Sequence, residues 1–249
     1  MPPPTTVELL WGTTQRPKRG PKPALTLDGI VAEAIALVDA EGLSALSMQR
    51  LAERLGFTKM SLYRYVPGKE QLTALMLDAA MGEPPDTAGS QQNWRTALRD
   101  WVEAIFARYL AHPWTIELTL GVRPFGPNEM GWTEAALAAL AQTGFTGSEK
   151  LDTIVVLNGH ARNLAQQVAS MSGDGELRFT EQFAEMMAAA AGRYPEVLAA
   201  FTEEAAAAAG SGGPNDALRF GVDRILDGLA ALVDQRNFSS PLVPPRSSS

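Results

Sequence analysis

Apolar residues recur at intervals of three and four along most of the chain, which is the pattern of amphipathic α-helices. The first such stripe begins after Thr26, runs through Ile30, Ala34 and Val38, and ends at Gly42. The sequence has no sustained alternation of apolar and polar residues between hairpin turns, the pattern that would indicate β-strands. The pattern therefore predicts an all-α protein.

Three more short helical stripes follow before residue 82. We expect a second helix between Ser47 and Gly56, a third from Thr58 to a stop at Pro67-Gly68, and a fourth from about Lys69 to Met81. Together these helices define an N-terminal domain over residues 26–81.

Beyond a linker at 83–90 that contains Pro, Gly, Asp, Thr and Ser, the helical period continues to residue 236. Helices are expected near 91–110, 127–143, 147–171, 178–192, 195–209 and 214–236. They form a larger helical C-terminal domain over residues 90–238.

The two ends of the chain are rich in proline. Six prolines fall within residues 1–25, so this segment is expected to be a flexible, extended basic arm. Residues 239–249 combine three prolines with serines and are expected to form a disordered tail.

The formal charge of −7 is divided unevenly along the chain. Residues 16–69 hold nine Lys and Arg against five Asp and Glu, whereas residues 70–249 hold twelve against 22. This division favours a basic module suited to a polyanion, attached to an acidic body. Chance variation in surface charge is the alternative explanation.

The composition narrows the cellular setting. The absence of cysteine excludes disulfides, thiolate nucleophiles and Cys-based metal sites, and it fits a reducing cytoplasm. No apolar run approaches the roughly 18 residues that cross a bilayer, and the first twelve residues have no basic residue followed by an apolar core. We expect a cytoplasmic protein that does not enter a membrane.

The segment from Ser47 to Val66 has the form of a helix-turn-helix. Gly56 can adopt the positive φ that a sharp crossing between two short helices requires. On a helical wheel Leu62 and Val66 face inward, and Arg64 points almost opposite. A short helix with one bare face fits the major groove of DNA, which is about 12 Å wide.

Polar, basic and aromatic side chains surround that face and suit phosphates and base edges. Arg64 suits a guanine edge or a phosphate, and an arginine that is simply solvated is the alternative. One tyrosine ring, most simply that of Tyr65, alternatively closes the small core. The predicted DNA-contacting residues in this domain are Ser47, Gln49, Arg50, Thr58, Lys59, Met60, Ser61, Tyr63, Arg64, Tyr65 and Lys69.

Four bases precede the first helix within seven residues, namely Arg16, Lys18, Arg19 and Lys22. Prolines keep this segment extended, and a narrow minor groove concentrates negative potential, so we expect the arm to lie in that groove. A disordered solubilising leader is the alternative.

The stretch from Leu25 to about Met81 resembles the DNA-binding domain of TetR-family transcriptional repressors. The resemblance rests on Ile30–Ala34, Glu41-Gly42-Leu43, Ser47–Leu55, Gly56-Phe57, Ser61–Val66 and Lys69–Leu72. His112-Pro113-Trp114 and Gly126-Pro127-Asn128 look like the ligand-binding half of a tetracycline-repressor-like subgroup. The resemblance implies a homodimer that binds a palindromic double-stranded DNA operator and a small-molecule effector.

Helix 214–236 repeats apolar residues at spacings of four and three, as in a coiled-coil seam. With helix 147–171 it is expected to form the four-helix dimer interface that the resemblance implies, and burial within the monomer is the alternative. The predicted interface residues are Leu151, Ile154, Val155, Leu218, Val222, Ile225, Leu229 and Leu232.

A largely apolar pocket with a few polar groups is expected inside the C-terminal domain. For each aromatic candidate a core position is the alternative, and His112 before proline is alternatively a turn residue. The candidate ligand-binding residues are Trp101, Phe106, His112, Trp114, Trp132, Asn158, His160, Arg162, Asn163 and Gln166.

These features predict a ligand-responsive, sequence-specific transcriptional regulator, a repressor that a small hydrophobic molecule releases from its operator. The sequence has no G-x-S-x-G, G-x-G-x-x-G, Walker or H-E-x-x-H motif, and its two histidines lie 48 positions apart. We therefore expect no enzymatic activity, no metal and no cofactor. An all-helical enzyme or adaptor without specific DNA binding is the alternative.

Overall fold

The computed structural model describes residues 3–12, 25–85, 93–171, 174–190, 192–208 and 214–239. Within these ranges the chain is helical and contains no β-strand, which confirms the all-α class. The helices are α1 (Thr6–Leu10), α2 (Leu27–Glu41), α3 (Met48–Leu55), α4 (Lys59–Leu62), α5 (Lys69–Met81), α6 (Trp94–Ala111), α7 (Trp114–Leu118), α8 (Pro127–Ala139), α9 (Gly147–Ser170), α10 (Asp174–Ala190), α11 (Pro195–Ala208) and α12 (Pro214–Ser239). None of these helices is long and apolar enough to cross a membrane.

The predicted helix starts are formed by side-chain caps. The hydroxyl groups of Thr26, Ser47 and Thr58 accept hydrogen bonds from backbone N–H groups three residues later, at 3.0, 3.2 and 3.3 Å. Each cap satisfies an N–H group that has no partner within its own helix. The starts of α2, α3 and α4 therefore lie where the sequence predicts them.

Helix α4 is shorter than predicted, because it ends at Leu62 and passes into a turn over residues 63–65. The backbone N–H groups of Tyr65 and Val66 both bond to the carbonyl of Leu62, at 2.9 and 3.0 Å. Pro67 explains the early end, since proline disfavours helical geometry in the residue before it and lacks an N–H group.

Helix α1 lies within the segment that the proline content predicts to be an extended arm. Thr5 and Glu8 form a reciprocal capping box at its start, and Leu9 and Leu10 are buried in the same core as α2 and α5. The prediction of an arm over residues 1–25 is therefore wrong for residues 6–10, because two apolar side chains and a complete cap outweigh the nearby prolines. Helix α7 is also absent from the predictions, and α10 begins four residues earlier than predicted.

The chain divides into two compact units. Unit 1 comprises residues 1–86 and 104–135, and unit 2 comprises residues 87–103 and 136–249. The predicted boundary at 83–90 therefore differs from the division in the structure, because unit 1 combines α1–α5 with α7, the end of α6 and the start of α8.

The core of unit 1 is formed mainly by side chains of α2, α3, α4 and α5. Its fully buried side chains include Ile30, Leu37, Leu51, Leu62, Val66, Leu72 and Met76. The indole of Trp114 on α7 belongs to the same cluster and is only 7% exposed. Helix α7 is thus packed into the core on which the helix-turn-helix is built.

The end of α5 and the start of α8 cap each other within unit 1. Asp78 accepts the backbone N–H of Glu129 at 3.0 Å, while the side chain of Asn128 donates to the carbonyl of Asp78 at 2.9 Å. Trp132 Nε1 donates to the carbonyls of Met81 and Gly82, at 3.2 and 2.9 Å. Unpaired groups at both helix ends are thereby satisfied.

Gly126 allows this close approach, because a Cβ at residue 126 would lie 2.2 Å from the carboxyl group of Asp78. Asp78 is buried, and its desolvation raises the pKa of the carboxyl group above 3.8, although the bond from Glu129 N–H opposes that rise. The carboxylate therefore caps α8 at the cost of losing its hydration.

We expect Asp78→Asn to keep the capping bond while removing the buried charge. Because the native pKa is raised, the stabilising contribution of the Asp78 carboxyl is fully present below pH 3.8 and is lost as pH rises through the native pKa. Asp78→Asn should therefore match or exceed the unfolding free energy of the natural protein at pH 7, with a weaker pH dependence. Urea unfolding from pH 4 to 7, at one protomer concentration, measures both.

Asp78→Leu is the contrasting variant, since it removes the acceptor and should cost about 1 kcal/mol or more. A large loss of stability at pH 7 in Asp78→Asn, equal to that in Asp78→Leu, would contradict this account of the carboxyl group.

Candidate functional site

The connection between α3 and α4 is a tight turn that a backbone hydrogen bond and core packing stabilise. Gly56 ends α3 in the left-handed region, with φ of 73° and ψ of 25°. The N–H of Phe57 returns to the carbonyl of Ala52 at 2.9 Å, and the Phe57 ring packs against the core. With Leu51 and Leu62 fully buried, this turn fixes the angle between the two helices.

The opposite side of α4 is bare. Met60 is 71% exposed, and Lys59, Tyr63 and Arg64 are also exposed. The ammonium group of Lys59 lies 5.6 Å from the centroid of the Tyr63 ring. Arg64 has no hydrogen-bond or ion-pair partner among the residues that the structure describes. This surface therefore presents two unneutralised cations and two large apolar groups side by side.

Other predicted DNA-contacting residues of α4 take part in the local structure. The hydroxyl groups of Thr58 and Ser61 lie 2.9 Å apart at the start of the helix. Tyr65 is half-buried and packs against the core, as the alternative interpretation of one tyrosine ring expects. Thr58 is exposed, whereas Ser61 and Tyr65 are half-buried.

The predicted residues of α3 carry acidic partners. The guanidinium group of Arg50 forms an ion pair with Glu41, and Gln49 Nε2 donates to Glu53 Oε1 at 2.6 Å. Ser47 caps the helix, as described above. Lys69, at the start of α5, is exposed and has no partner among the described residues. Arg16, Lys18, Arg19 and Lys22 lie outside the described residues.

A short helix with an exposed first turn and cationic side chains beside it is suited to bind in the groove of a polyanion. Lysine and arginine neutralise phosphates, and residues at the start of a recognition helix reach base edges in the major groove. Among the described residues no group of three or more His, Asp or Glu is placed to hold a metal ion.

In unit 2, α9 and α12 pack together and leave an apolar strip exposed. Leu151 and Val155 on α9 are 51% and 69% exposed, and Leu232 on α12 is 44% exposed. Ile154, Ile225 and Leu229 are half-buried. A groove of about 290 Å³ beside this strip is lined by Phe145, Glu149, Asp152, Thr153, Val156, Ile225, Gly228, Leu229 and Leu232.

Two of the predicted dimer residues belong to the core of unit 2. Leu218 and Val222 are 2% and 1% exposed, and Leu226 beside them is fully buried. The prediction that they lie at an interface is wrong, because α12 uses this face to pack within the monomer. The helical period alone does not distinguish the two faces of α12.

Ion pairs hold α12 in place. Arg236 pairs with Glu149 and donates to the carbonyl of Gly144 at 3.0 Å. The Arg236 guanidinium and the bonds from Thr146 lower the pKa of Glu149 to about 2. Arg95 donates to the carbonyl of Leu226 at 3.0 Å. These contacts hold α12 against the start of α9 and the start of α6 within unit 2.

The predicted ligand-binding residues divide between the two units. Trp101, Asn158, His160, Arg162, Asn163 and Gln166 lie in unit 2, whereas Phe106, His112, Trp114 and Trp132 lie in unit 1. The rings of Trp101, Phe106, Trp114 and Trp132 are all buried. Two of the tryptophans have defined structural partners, since Trp132 caps α5 and Trp114 bonds to Asp39.

His112 and Trp114 both contact the carboxylate of Asp39. Trp114 Nε1 donates to Asp39 Oδ1 at 2.6 Å, and His112 Nδ1 lies 2.9 Å from the same oxygen. Both residues therefore join the corner between α6 and α7 to α2.

The polar candidate residues of α9 differ in their surroundings. His160 Nε2 lies 3.3 Å from the carbonyl of Leu218, and its ring occupies the space that a side chain at Gly221 would need. Asn163 and Gln166 are exposed, and Asn163 accepts a bond from Gln167 at 2.9 Å. Arg162 and Asn158 are half-buried.

Asp39 and Asp78 are two site residues that the sequence analysis missed. Asp78 stands alone among apolar residues in α5, which is a detectable signal for a buried polar role. Asp39 lies at an exposed position of α2 beside the apolar stripe, so nothing in the local sequence distinguishes it from a solvated acid.

Comparison with known proteins matches both parts of the chain to protein families. Residues 30–76 match the family described as bacterial regulatory proteins of the tetR family. Residues 85–233 match the family described as the tetracyclin repressor-like C-terminal domain.

Individual relatives extend these matches. The chain is 39% identical over 246 residues to the HTH-type transcriptional repressor DrrR1 of Streptomyces coeruleorubidus, a match that covers 94% of this chain and 88% of the relative. It is 23% identical to the tetracycline repressor protein class C of Escherichia coli, over 82% of this chain and 90% of the relative. The Streptomyces coelicolor TetR family protein ActR, in complex with (S)-DNPA, has a similar structure with a TM-score of 0.68 and 26% identity. That match covers 84% of this chain and 98% of ActR.

Regulators of this family bind operator DNA and small-molecule ligands and act as dimers. The helix-turn-helix of unit 1, the two family matches and the 39% identity to a repressor lead to one conclusion. The chain belongs to the TetR family and is a ligand-responsive, DNA-binding transcriptional regulator rather than an enzyme.

Proposed function

We propose that this protein is a repressor whose dimer reads a palindromic operator with two copies of α4 and leaves it when a small hydrophobic molecule binds. The observation that carries the proposal is the bare face of α4, where Lys59, Met60 and Arg64 are exposed. Among the residues that the structure describes, the domain packs against the other side, where Leu62 and Val66 are fully buried.

The position of each side chain along α4 suggests its role. Lys59 and Met60 occupy the first turn, and first-turn residues of a recognition helix contact base edges. A lysine pairs with the O6 and N7 acceptors of guanine, while an apolar side chain packs on a thymine methyl group. Arg64 follows the end of α4, and with Tyr63 and Lys69 it is placed beside the DNA backbone, where cations contact phosphates.

The ion pair of Arg50 does not prevent a contact with DNA. Both Arg50 and Glu41 are substantially exposed, and pairs of this kind contribute about 0–1 kcal/mol. A phosphate can therefore replace Glu41 as the partner of Arg50 at little cost, and Gln49 can leave Glu53 in the same way.

The exposed strip of α9 and α12 supports a dimer interface at Leu151, Val155 and Leu232, together with Ile154, Ile225 and Leu229. Exposed leucine and valine side chains on adjacent helices gain free energy when a second copy covers them. A twofold dimer places two α4 helices on one side of the DNA, which matches a palindromic operator with half-sites about one turn apart.

The ligand is proposed to be hydrophobic, because Trp101, the aromatic candidate residue of unit 2, is apolar and buried. ActR forms a complex with the small molecule (S)-DNPA in one crystal structure and with actinorhodin in another. A ligand shifts the operator equilibrium only through its different affinities for two conformations, and a difference of roughly 3 kcal/mol changes DNA affinity about a hundredfold. Action on chromosomal DNA implies a cytoplasmic protein.

The roles of Lys59 on α4 and of Arg64 just after it are tested by Lys59→Ala and Arg64→Ala. With a duplex selected from a random pool by the natural protein, Lys59→Ala should relax the preference at one base pair by about 1–3 kcal/mol. Arg64→Ala should weaken all duplexes alike and lower the salt slope of log K by about 0.9. Fluorescence anisotropy at several salt concentrations measures both quantities.

Arg219→Ala is the matched control, because Arg219 is an exposed arginine of unit 2 that pairs with Glu103. Unchanged DNA affinity in both α4 variants would contradict the proposed contact surface.

The basic segment is tested by replacing Arg16, Lys18, Arg19 and Lys22 together with glutamine. A truncation would also remove α1 and its buried Leu9 and Leu10, so substitution is the cleaner experiment. We expect weaker binding and a salt slope that falls by about 0.9 for each phosphate that the segment no longer neutralises. A salt slope equal to that of the natural protein would show that these four residues do not contact DNA.

The dimer surface is tested by Val155→Asp. A carboxylate buried at the proposed interface costs several kcal/mol, so we expect monomers in sedimentation equilibrium. Val197→Asp on α11, where the natural valine is also exposed, should remain dimeric. Dimers of equal affinity in both variants would place the interface elsewhere.

A further inference from the structure

The carboxylate of Asp39 fastens the corner between α6 and α7 to α2. Besides the 2.6 Å bond from Trp114, it lies 2.9 and 3.1 Å, through its two oxygens, from His112 Nδ1. The His112 and Trp114 rings lie 5.9 Å apart at 59° to each other, so their polar edges converge on one acceptor. The α6–α7 corner is thus oriented by directional bonds as well as by packing.

Packing alone leaves the orientation of this corner less defined. The Trp114 ring is buried among the apolar residues of the helix-turn-helix core, which include Ile30, Leu37 and Met76. Apolar contact of this kind is non-directional, whereas a hydrogen bond to a charged acceptor fixes the angle of the ring. The Asp39 side chain is itself one-third exposed, at 33%, so burial of Asp39 is not its main contribution.

Helix α2 is in turn tied to α3. Arg54 Nε donates to Glu33 Oε1 at 2.6 Å, and the two helices share one core through the fully buried Leu37 of α2 and Leu51 of α3. A rotation of α2 is therefore carried to α3, and through the tight turn at Gly56 to α4. Asp39 stands at the start of this series of contacts.

The bonds of Asp39 also cross between the two family matches. Asp39 lies in the DNA-binding match at 30–76, whereas His112 and Trp114 lie in the C-terminal match at 85–233. All three residues belong to unit 1.

We infer that Asp39 is a positioning residue of the regulator, through which the corner between α6 and α7 sets the orientation of α3 and α4. The inference rests on the proposed function, since orientation matters because the paired helices must match the DNA. The bonds from Trp114 and His112 hold the DNA-competent arrangement, and their removal widens the range of orientations.

The experiment compares Asp39→Ala, Trp114→Phe and the double variant with Asp28→Ala. Trp114→Phe keeps a buried ring but removes the N–H donor. Asp28→Ala removes a carboxylate from the same helix that has no partner among the described residues. Because the chain contains no cysteine, Glu53→Cys provides one spin-label position on α3 in each protomer of the dimer. Double electron–electron resonance spectroscopy then gives the distribution of distances between the two spin labels.

We expect Asp39→Ala and Trp114→Phe to broaden this distribution, with no further broadening in the double variant. Without labels, both should bind the selected duplex about tenfold more weakly, the order expected when a hydrogen bond to a charged group is removed. Asp28→Ala should behave like the natural protein. A lower melting temperature with an unchanged distance distribution and unchanged DNA affinity would overturn the inference and leave Asp39 with a role in stability alone.

Two further outcomes keep the test decisive. If Asp39→Ala does not fold, Trp114→Phe alone decides by the same criteria. If the natural protein selects no duplex, the proposed function fails, whereas the distance distributions still decide whether Asp39 sets the orientation of α3.

Discussion

Helix ends carry four N–H groups and four carbonyl groups without partners, and inside a protein these groups must be hydrogen-bonded. In unit 1 the end of α5 and the start of α8 meet this requirement for each other, through Asp78, Asn128 and Trp132. The packing of Gly126 against the Asp78 carboxyl brings the two ends close enough for these bonds. The position of α5 depends on these hydrogen bonds, and α3 and α4 pack on the same core as α5.

The same requirement explains why the DNA-binding helices are not an isolated module. Trp114 enters their core from α7, and its N–H finds an acceptor in Asp39 of α2. Unit 1 therefore includes residues that belong to the C-terminal family match. Rearrangement of residues 112–132 would act directly on α2 and α5, because these residues and the two helices share one core and its polar bonds.

Much of the helix-turn-helix could be predicted from the sequence, because its signals are local. Thr26, Ser47 and Thr58 cap helices through atoms only three residues away, and Gly56 takes the positive φ that its position demands. Leu62 and Val66 also point inward as their spacing predicts.

The remainder depends on contacts that local sequence does not encode. An indole suits a ligand pocket, a core or a helix cap equally well, so the partners of Trp114 and Trp132 could not be foreseen. The seam of α12 is continuous in sequence, yet Leu218 faces the core while Leu232 is exposed. Helix α1 is five residues long, too short for a periodic pattern, and only its cap at Thr5 and Glu8 could have indicated it.

Helix α1 also bears on how this regulator can be divided for separate study. It precedes both family matches, yet Leu9, Leu10 and Leu25 contribute apolar surface to the core, and the indole N–H of Trp11 bonds to the carbonyl of Phe125 at 3.1 Å. A fragment excised at the limits of the DNA-binding match would lack these side chains, the Thr26 cap and the partner indole on α7. Such a fragment would display an uncovered apolar surface and associate through it, so its DNA affinity would misrepresent that of the intact regulator.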